Sequence, residues 1–279
     1  GSVREACRCL SVSPSAYYKW KSGSSSQRFQ ENKHIASLIE KIHIDSPDKG
    51  YRRIHDDLKR FHNVHSNDKR ILRICRSLGI QSTVKFHPAG CTRHARTPQH
   101  YSENILNREF HAEKPDEKWL TDVTEFKYYE GSRVKKVYLS AILDLYDRRI
   151  VSFVIRDTND NKLVFDTFAK AVQRNPDAHP IFHSDRGFQY TNRYFYQRLV
   201  NAGMTQSMSR VGRCIDNGPM EGFWGILKRE RYYGKRFTNR TELVKMIRSY
   251  IHYYNTKRLQ RNLGVLTPME KHDRYLKAD

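Results

Sequence analysis

The sequence predicts an α/β protein, with a mixed five-stranded sheet and flanking helices, preceded by a small all-α, helix-turn-helix-like region. Three observations carry that reading. Between residues 28 and 82 apolar side chains recur at spacings of three and four, the period of amphipathic helices. From about Pro115 the pattern changes to β-rich runs joined by short turns. Beyond Asn161 helical and strand-like segments alternate, which adds strands to a sheet that begins as a meander.

Composition narrows the partners. The chain has 51 Lys and Arg against 30 Asp and Glu, a net charge of +21 over 279 residues. That balance suits nucleic acid. With 38% hydrophobic and 12% aromatic residues there is material for a packed core, so the charge does not belong to a disordered basic tail. The longest apolar stretches, at 137–145 and 150–155, fall short of the roughly 18 residues needed to span a bilayer. Five cysteines at irregular spacing, with no C-x-x-C pair, suit a reducing cytoplasm. Gly1-Ser2 without a Met reads as a tag scar, with further modules expected upstream.

Val3 to Leu10 and Ala16 to Trp20 read as two short helices around a Ser11 to Pro14 turn, a partial helix-turn-helix over residues 1–22. Gly23 to Ser26 is a flexible break. A helical DNA-binding domain is expected over 28–82. Its first helix carries Ile35, Leu38, Ile39 and Ile42, and its second, from about Tyr51, carries Ile54, Leu58 and Phe61. After a break at 63–67 a third carries Ile71, Leu72, Cys75 and Leu78 and stops at Gly79. Lys69, Arg70, Arg73 and Arg76 line this third helix, open to phosphate contact or base-edge readout and also to plain solvation. Residues 83–114 lose periodicity and gain Pro88, Gly90 and Pro98 among cations, the texture of a basic linker. The order and spacing of His87, Cys91, His94 and His100 do not favour zinc.

A catalytic core is expected over 115–235. Trp119 to Tyr129, Val134 to Leu145 and Arg149 to Arg156 form an antiparallel meander, and the middle run is apolar on both alternations, as in a strand covered on both faces. A helix from about Asn161 carries Phe165, Phe168, Ala169 and Val172, with Asn159 or Asp160 as cap. Ile181 to Ser184 is the fourth strand, a helix then ends at Gly203, and Met204 to Met208 is the fifth. Residues 236–279 read as a C-terminal helical extension in which Tyr250, Tyr253 and Tyr254 pack and Arg258 contacts DNA.

Three acids stand where this fold can gather them: Asp122 in the first strand, Asp185 at the end of the fourth, and Glu221 at the start of a helix, separated by 63 and 36 positions. Phosphoryl transfer on DNA uses two divalent cations about 3.5–4 Å apart, and carboxylates are the hard ligands magnesium prefers. An Asp in an apolar strand needs a partner. Singly, each acid also has a structural reading: a strand-end Asp, a turn residue before Gly187, and a first-turn Glu favoured by the helix dipole. Gly218, however, stands where a capping box would need Ser or Thr. Lys228, two turns beyond Glu221 and about 10 Å along the axis, can grip a DNA backbone or be one more surface Lys.

These residues sit in wider motifs: Gly50-Tyr51-Arg52-Arg53-Ile54 in the basic bundle, Trp119 to Thr124, His183 to Gly187 with Gln189-Tyr190, and Asp216 to Glu221 followed by Phe223, Gly225, Leu227 and Lys228. The tail adds Tyr253-Tyr254-Asn255, Arg258, Leu263-Gly264 and Thr267 to Glu270. Over nearly its whole length the chain resembles the OrfB-type transposases of insertion-sequence family three, in the retroviral-integrase superfamily with its D,D-35-E triad. The resemblance implies a ribonuclease-H-like core in which Asp122, Asp185 and Glu221 hold two Mg2+ ions, replaceable by Mn2+, and Lys228 meets the transposon end. It implies that Arg52 and Arg53, within their motif, join the cations of the third helix on DNA. The implied partners are terminal inverted repeats, target DNA, further copies of the chain on DNA, and OrfA or an OrfA-derived N-terminal region. The implied reaction nicks the 3' end, attacks the same strand beside the other end, and yields a circle that inserts elsewhere, with no covalent protein intermediate.

Two departures stand out. Gln260 occupies a position where members often have His, and Glu125 replaces a usually uncharged strand residue. Three positions from Asp122, Glu125 points to the opposite face and has a surface role. His183 reads as a packed strand residue more than a proton carrier. The rival functions are a catalytically silent DNA-binding derivative and a metal nuclease of the same fold.

Overall fold

The computed structural model describes residues 2–23, 26–84, 100–210 and 214–278. The chain forms two compact units, residues 1–83 and 84–279. In the first, α1 (Val3–Cys9) and α2 (Pro14–Lys21) are short helices capped by Ser2 and Ser13. Three longer helices follow: α3 (Gln27–Asp45), α4 (Tyr51–His62) and α5 (Asp68–Ser77). Ile35, Ile39, Ile54, Leu58, Ile71, Ile74 and Cys75 make their shared core.

Phe61 departs from the expected apolar face and is 64% exposed. Asn63 ends α4 in the left-handed region (φ 52°) and turns the chain back, so that Val64 packs on the core in its place. Asn67 then caps α5, its side chain accepting from the Arg70 N–H at 2.8 Å. That joint is built from two Asn residues, each suited to its conformation.

The second unit is built on β1 (Lys118–Glu130), β2 (Arg133–Asp144), β3 (Ile150–Arg156), β4 (Ile181–Ser184) and β5 (Thr205–Met208), in the spatial order β3-β2-β1-β4-β5. β1, β2 and β3 are antiparallel, while β4 runs parallel to β1 and β5 parallel to β4. This is the ribonuclease-H-like layout. α6 (Asn161–Arg174), capped by Asp160, and α7 (Arg193–Asn201) cover one face around Trp119, Phe168, Phe182 and Phe195. α8 (Gly218–Leu227) and α9 (Arg240–Thr256) cover the other, around Leu120, Phe126, Phe223, Leu243 and Tyr250. β2, central to both layers, is buried on both alternations from Leu139 onward.

Two expected boundaries move. Leu106 and Ala112, within the expected linker, are buried in the same core as α8 and α9, and Asn104 and Arg108 bond to Asp216. The linker is therefore shorter than 83–114. His87, Cys91 and His94 lie outside the described residues. The expected C-terminal extension is likewise part of the core, because α9 supplies Leu243, Ile247, Tyr250, Ile251 and Tyr254 to it. The tail motifs have structural work: Asn255 accepts from the Ile150 N–H and donates to its C=O, closing the start of the edge strand β3. Thr267 and Glu270 form a capping box on α10 (Pro268–Leu276).

Candidate active site

The strand register brings the first two acids together. β1 and β4 pair Lys118 with Ile181, Trp119 with Phe182 and Leu120 with His183. The same offset carried two residues further sets Asp185, just past the end of β4, abreast of Asp122. The Asp122 carboxylate accepts from the Val123 N–H at 2.7 Å and from the Trp224 indole at 3.0 Å. Asp185 accepts from the Gly187 N–H at 2.9 Å. A Cβ at position 187 would lie 3.0 Å from Asp185 Oδ1, so glycine lets the backbone approach the acid.

Glu221 comes from the helix layer. α8 begins after Asn217, whose side chain does not cap the helix but donates to the Thr121 carbonyl at 3.0 Å. Trp224, three residues after Glu221 and on its side of the helix, reaches Asp122. Asn217 and Trp224 thus latch α8 onto β1 immediately before and at the first acid. A second anchor lies at Asp216, fully buried, which accepts from Asn104, from the Arg210 N–H, and from the guanidinium groups of Arg108 and Arg210. Those cations hold its carboxyl below the usual range. The sequence reading missed Asp216, Asn217 and Trp224 as positioning groups, although all three lie in or beside the motif that ends at Glu221.

Electrostatics show what the three acids do to one another. Burial, the neighbouring Asp185 and, more weakly, Glu221 together push the Asp122 carboxyl up to about 8, against the two hydrogen bonds that lower it. Glu221, though open to solvent, is raised by partial burial and by Asp185. Behind them the buried Tyr190 hydroxyl lies 3.3 Å from Thr121 Oγ1, held protonated by burial and by both Asp residues. Among the described residues no group of three or more His, Cys, Asp or Glu side chains stands close enough to hold a metal ion as placed. The donor set nonetheless fits a divalent cation in kind: hard oxygens only, mutually repelling, in a site that disfavours their charge.

The remaining expected residues fall into distinct settings. Lys228, at the end of α8, puts its Nζ 5.2 Å from the centroid of the Phe126 ring, and burial lowers its pKa while Glu125 and Asp122 oppose the shift. Glu125 pairs with Lys136 at 3.0 Å. His183 is fully buried, both ring nitrogens bonded to the hydroxyls of Ser207 and Ser209, and burial lowers its pKa to about 4. It is a neutral packing residue. Arg258 is not presented to solvent as a DNA-contacting cation: it forms a bidentate pair with Glu230, the two side chains only 12% and 7% exposed.

Family models match along the chain: an HTH-like domain over residues 30–86, an integrase core domain over 112–214 and a second integrase core domain model over 221–276. An uncharacterised transposase-like protein of Haemophilus influenzae is 41% identical over 210 residues, covering 74% of this chain and 93% of that protein. The putative transposase InsK for insertion sequence element IS150 of Escherichia coli is 35% identical over 255 residues, covering 91% of this chain and 87% of that protein. The chain belongs to the transposases of insertion-sequence family three. Among solved structures, the HTLV-2 integrase catalytic core domain in complex with magnesium matches 58% of the chain and 99% of its own length at 18% identity and a TM-score of 0.44.

In this transposase the HTH-like unit carries its own basic surface. Lys69, Arg73 and Arg76 are exposed on one side of α5, at spacings of four and three. An open groove of about 790 Å³ runs between the N-terminal ends of α3 and α5, where Arg28 joins Lys69 and Arg73. Arg70 is drawn to Glu31 and Asn32, both at 2.9 Å, and Arg53 to Asp48 at 3.1 Å. Arg52 is exposed, its guanidinium 5.6 Å from the Tyr51 ring centroid. Arg28 was missed because it precedes the periodic part of its helix.

Proposed function

We propose that this transposase binds the terminal inverted repeats of its element, cleaves the 3' end and joins that end to a second DNA site, with Asp122, Asp185 and Glu221 as metal ligands. The observation that carries this is the register that sets Asp185, just past the end of β4, abreast of Asp122 on the neighbouring parallel strand β1, with the helix of Glu221 latched to the first acid. Two divalent cations held there, Mg2+ or Mn2+, would activate the attacking oxygen and neutralise charge on the leaving one. The chain's own groups do the rest. Trp224 and the Val123 amide keep Asp122 oriented, and the Gly187 amide keeps Asp185 oriented. Lys228 grips the backbone of the DNA end, while Lys69, Arg73, Arg76 and Arg52 of the HTH-like unit bind the repeat. The nucleophile is water in the first step and a DNA 3' hydroxyl in the second, and the same-strand attack yields a circle that is later inserted.

Two ends must meet, so the active species is an oligomer on DNA, with an OrfA-derived region completing recognition of the repeats. No helix among the described residues is long and apolar enough to cross a membrane, and the bacterial nucleoid is the site of action in this reading. Incubation with magnesium and a labelled terminal-repeat duplex tests it: joined products are expected, whereas cleavage alone indicates a nuclease and intact duplex a silent binder. Glu221→Gln abolishes both steps with binding largely kept; a variant that still joins strands would overturn the assignment. Binding itself weakens steeply with added salt as cations on the protein displace counterions.

A further inference from the structure

α8 does not end as an ordinary helix. From Lys228 to Tyr232 it widens into a π-helical turn, a feature that single-turn insertions at functional sites often share. This turn is pinned from two sides. On one side the Tyr232 hydroxyl accepts from the Lys127 N–H at 2.8 Å and donates to the Lys127 C=O at 3.0 Å, docking the turn on β1, and Lys228 lies over Phe126 of the same strand. On the other, Glu230 accepts from Arg258 through Nε and a terminal nitrogen, and from the Tyr250 hydroxyl at 2.8 Å. Two residues apart on a helix point in nearly opposite directions. Holding Glu230 toward α9 therefore turns Lys228 toward β1 and the acids.

We propose that Arg258 is a positioning residue, which acts through Glu230 to fix the π-turn and so aims Lys228 at the DNA end; this rests on the reading of Lys228 given above. The pair is too enclosed for Arg258 to serve a phosphate: leaving Glu230 would strand a buried carboxylate beside Tyr250. The tail Arg motif and the Lys after the third acid are then two parts of one device, joined through Glu230, which stands 28 positions before Arg258.

The test is a set of variants of the full chain, assayed for strand joining with magnesium and for the salt dependence of end-duplex binding. Arg258→Met and Lys228→Ala each lower joining, Arg258→Met on the order of tenfold to a hundredfold as expected of a displaced contact. Added to Lys228→Ala, Arg258→Met lowers joining no further. The salt slope of Arg258→Met stays at the wild-type value, whereas that of Lys228→Ala falls by about one. Tyr250→Phe, which removes only the hydroxyl from Glu230, gives a smaller loss that also vanishes in the Lys228→Ala background, and it decides the matter if Arg258→Met does not fold. The exchanged pair Arg258→Glu with Glu230→Arg restores joining. Losses that multiply with that of Lys228→Ala, or a lowered salt slope for Arg258→Met, overturn the positioning role alone. A Lys228→Ala variant with wild-type joining and slope overturns the reading of Lys228, and this proposal with it.

Discussion

Replacing Asp122 by Asn should make the metal-free protein more stable while removing its response to magnesium. The Asp122 carboxyl ordinarily titrates near 3.8 and is pushed up to about 8 in the folded chain, chiefly by burial and by Asp185. An acid with a raised folded pKa opposes folding above its unfolded value, because the native state retains a proton that the unfolded state releases. That penalty is absent at pH below 3.8, grows as pH rises, and levels off near 8. At pH 7 the roughly three units above 3.8 correspond to about 4 kcal/mol. Asn has no proton to retain. It does have an amide that must face one of the two donors now served by carboxylate oxygens, Val123 N–H or Trp224 Nε1, and that mismatch costs about 1–3 kcal/mol. The balance at pH 7 favours the Asp122→Asn variant by about 1–3 kcal/mol, or a melting point higher by about 2–10 °C for a domain of this size. Melting curves with chelator at pH 4.5, 6 and 7.5 read it directly. Asp122→Asn gains on the wild type as pH rises and is the less stable of the two at pH 4.5; with magnesium at pH 7.5 the wild type alone gains. A variant that is destabilised equally at every pH would refute the claim that the acid is strained.

Other changes act on the groups that hold the site. Gly187→Ala puts a methyl 3.0 Å from Asp185 Oδ1 and 3.2 Å from Gln189 Oε1; cleavage falls about tenfold or more as Asp185 shifts, with duplex affinity in gel-shift assays unchanged. Asp216→Asn weakens the anchor before α8 and lowers the melting temperature by about 3–6 °C near neutrality. Because Asp216 is held low by its Arg partners, that difference is fully present above pH 3.8 and shrinks only as pH falls toward the depressed folded value.

The parts legible in the sequence were those governed by local period. Strands of β-branched and aromatic residues, helices with apolar side chains every three or four positions, and the Glu130-Gly131 turn declare themselves within a few residues. The resemblance added which acids to watch. What stayed hidden depends on pairs far apart in the chain. Nothing local gives Asn217 a role within its motif, and only the fold reveals that it donates to a carbonyl 96 residues earlier. Nothing local singles out Trp224, yet its indole nitrogen serves Asp122 across 102 residues. Arg258 next to tyrosines reads as a nucleic-acid contact, because nothing local reveals a Glu230 already bound to it. Leu106 reads as linker for a related reason: an isolated Ile105-Leu106 pair among polar residues has no period to betray the burial of Leu106.

The two spacings of the triad have different physical origins, and that difference says which part of the site can move. Asp122 and Asp185 are tied by backbone hydrogen bonds between β1 and β4, where the offset of 63 positions that pairs Leu120 with His183 also aligns the acids. Such a register shifts only in whole residues, and a single slip would turn every side chain of a strand to the other face. The second spacing is set by docking: Glu221 stands where Asn217, Trp224 and the Asp216 anchor seat α8 on β1. Docked helices adjust by small shifts at modest energy, and the Glu221 side chain is open to solvent. Where the three acids close around a cation, as in the proposed function, the strand pair would be the fixed jaw and the adjustment would fall to the helix side. The π-turn and its Glu230–Arg258 pin lie at the far end of that same helix, so in the proposed function the Lys228 end of α8 would stay fixed while the Glu221 end adjusts.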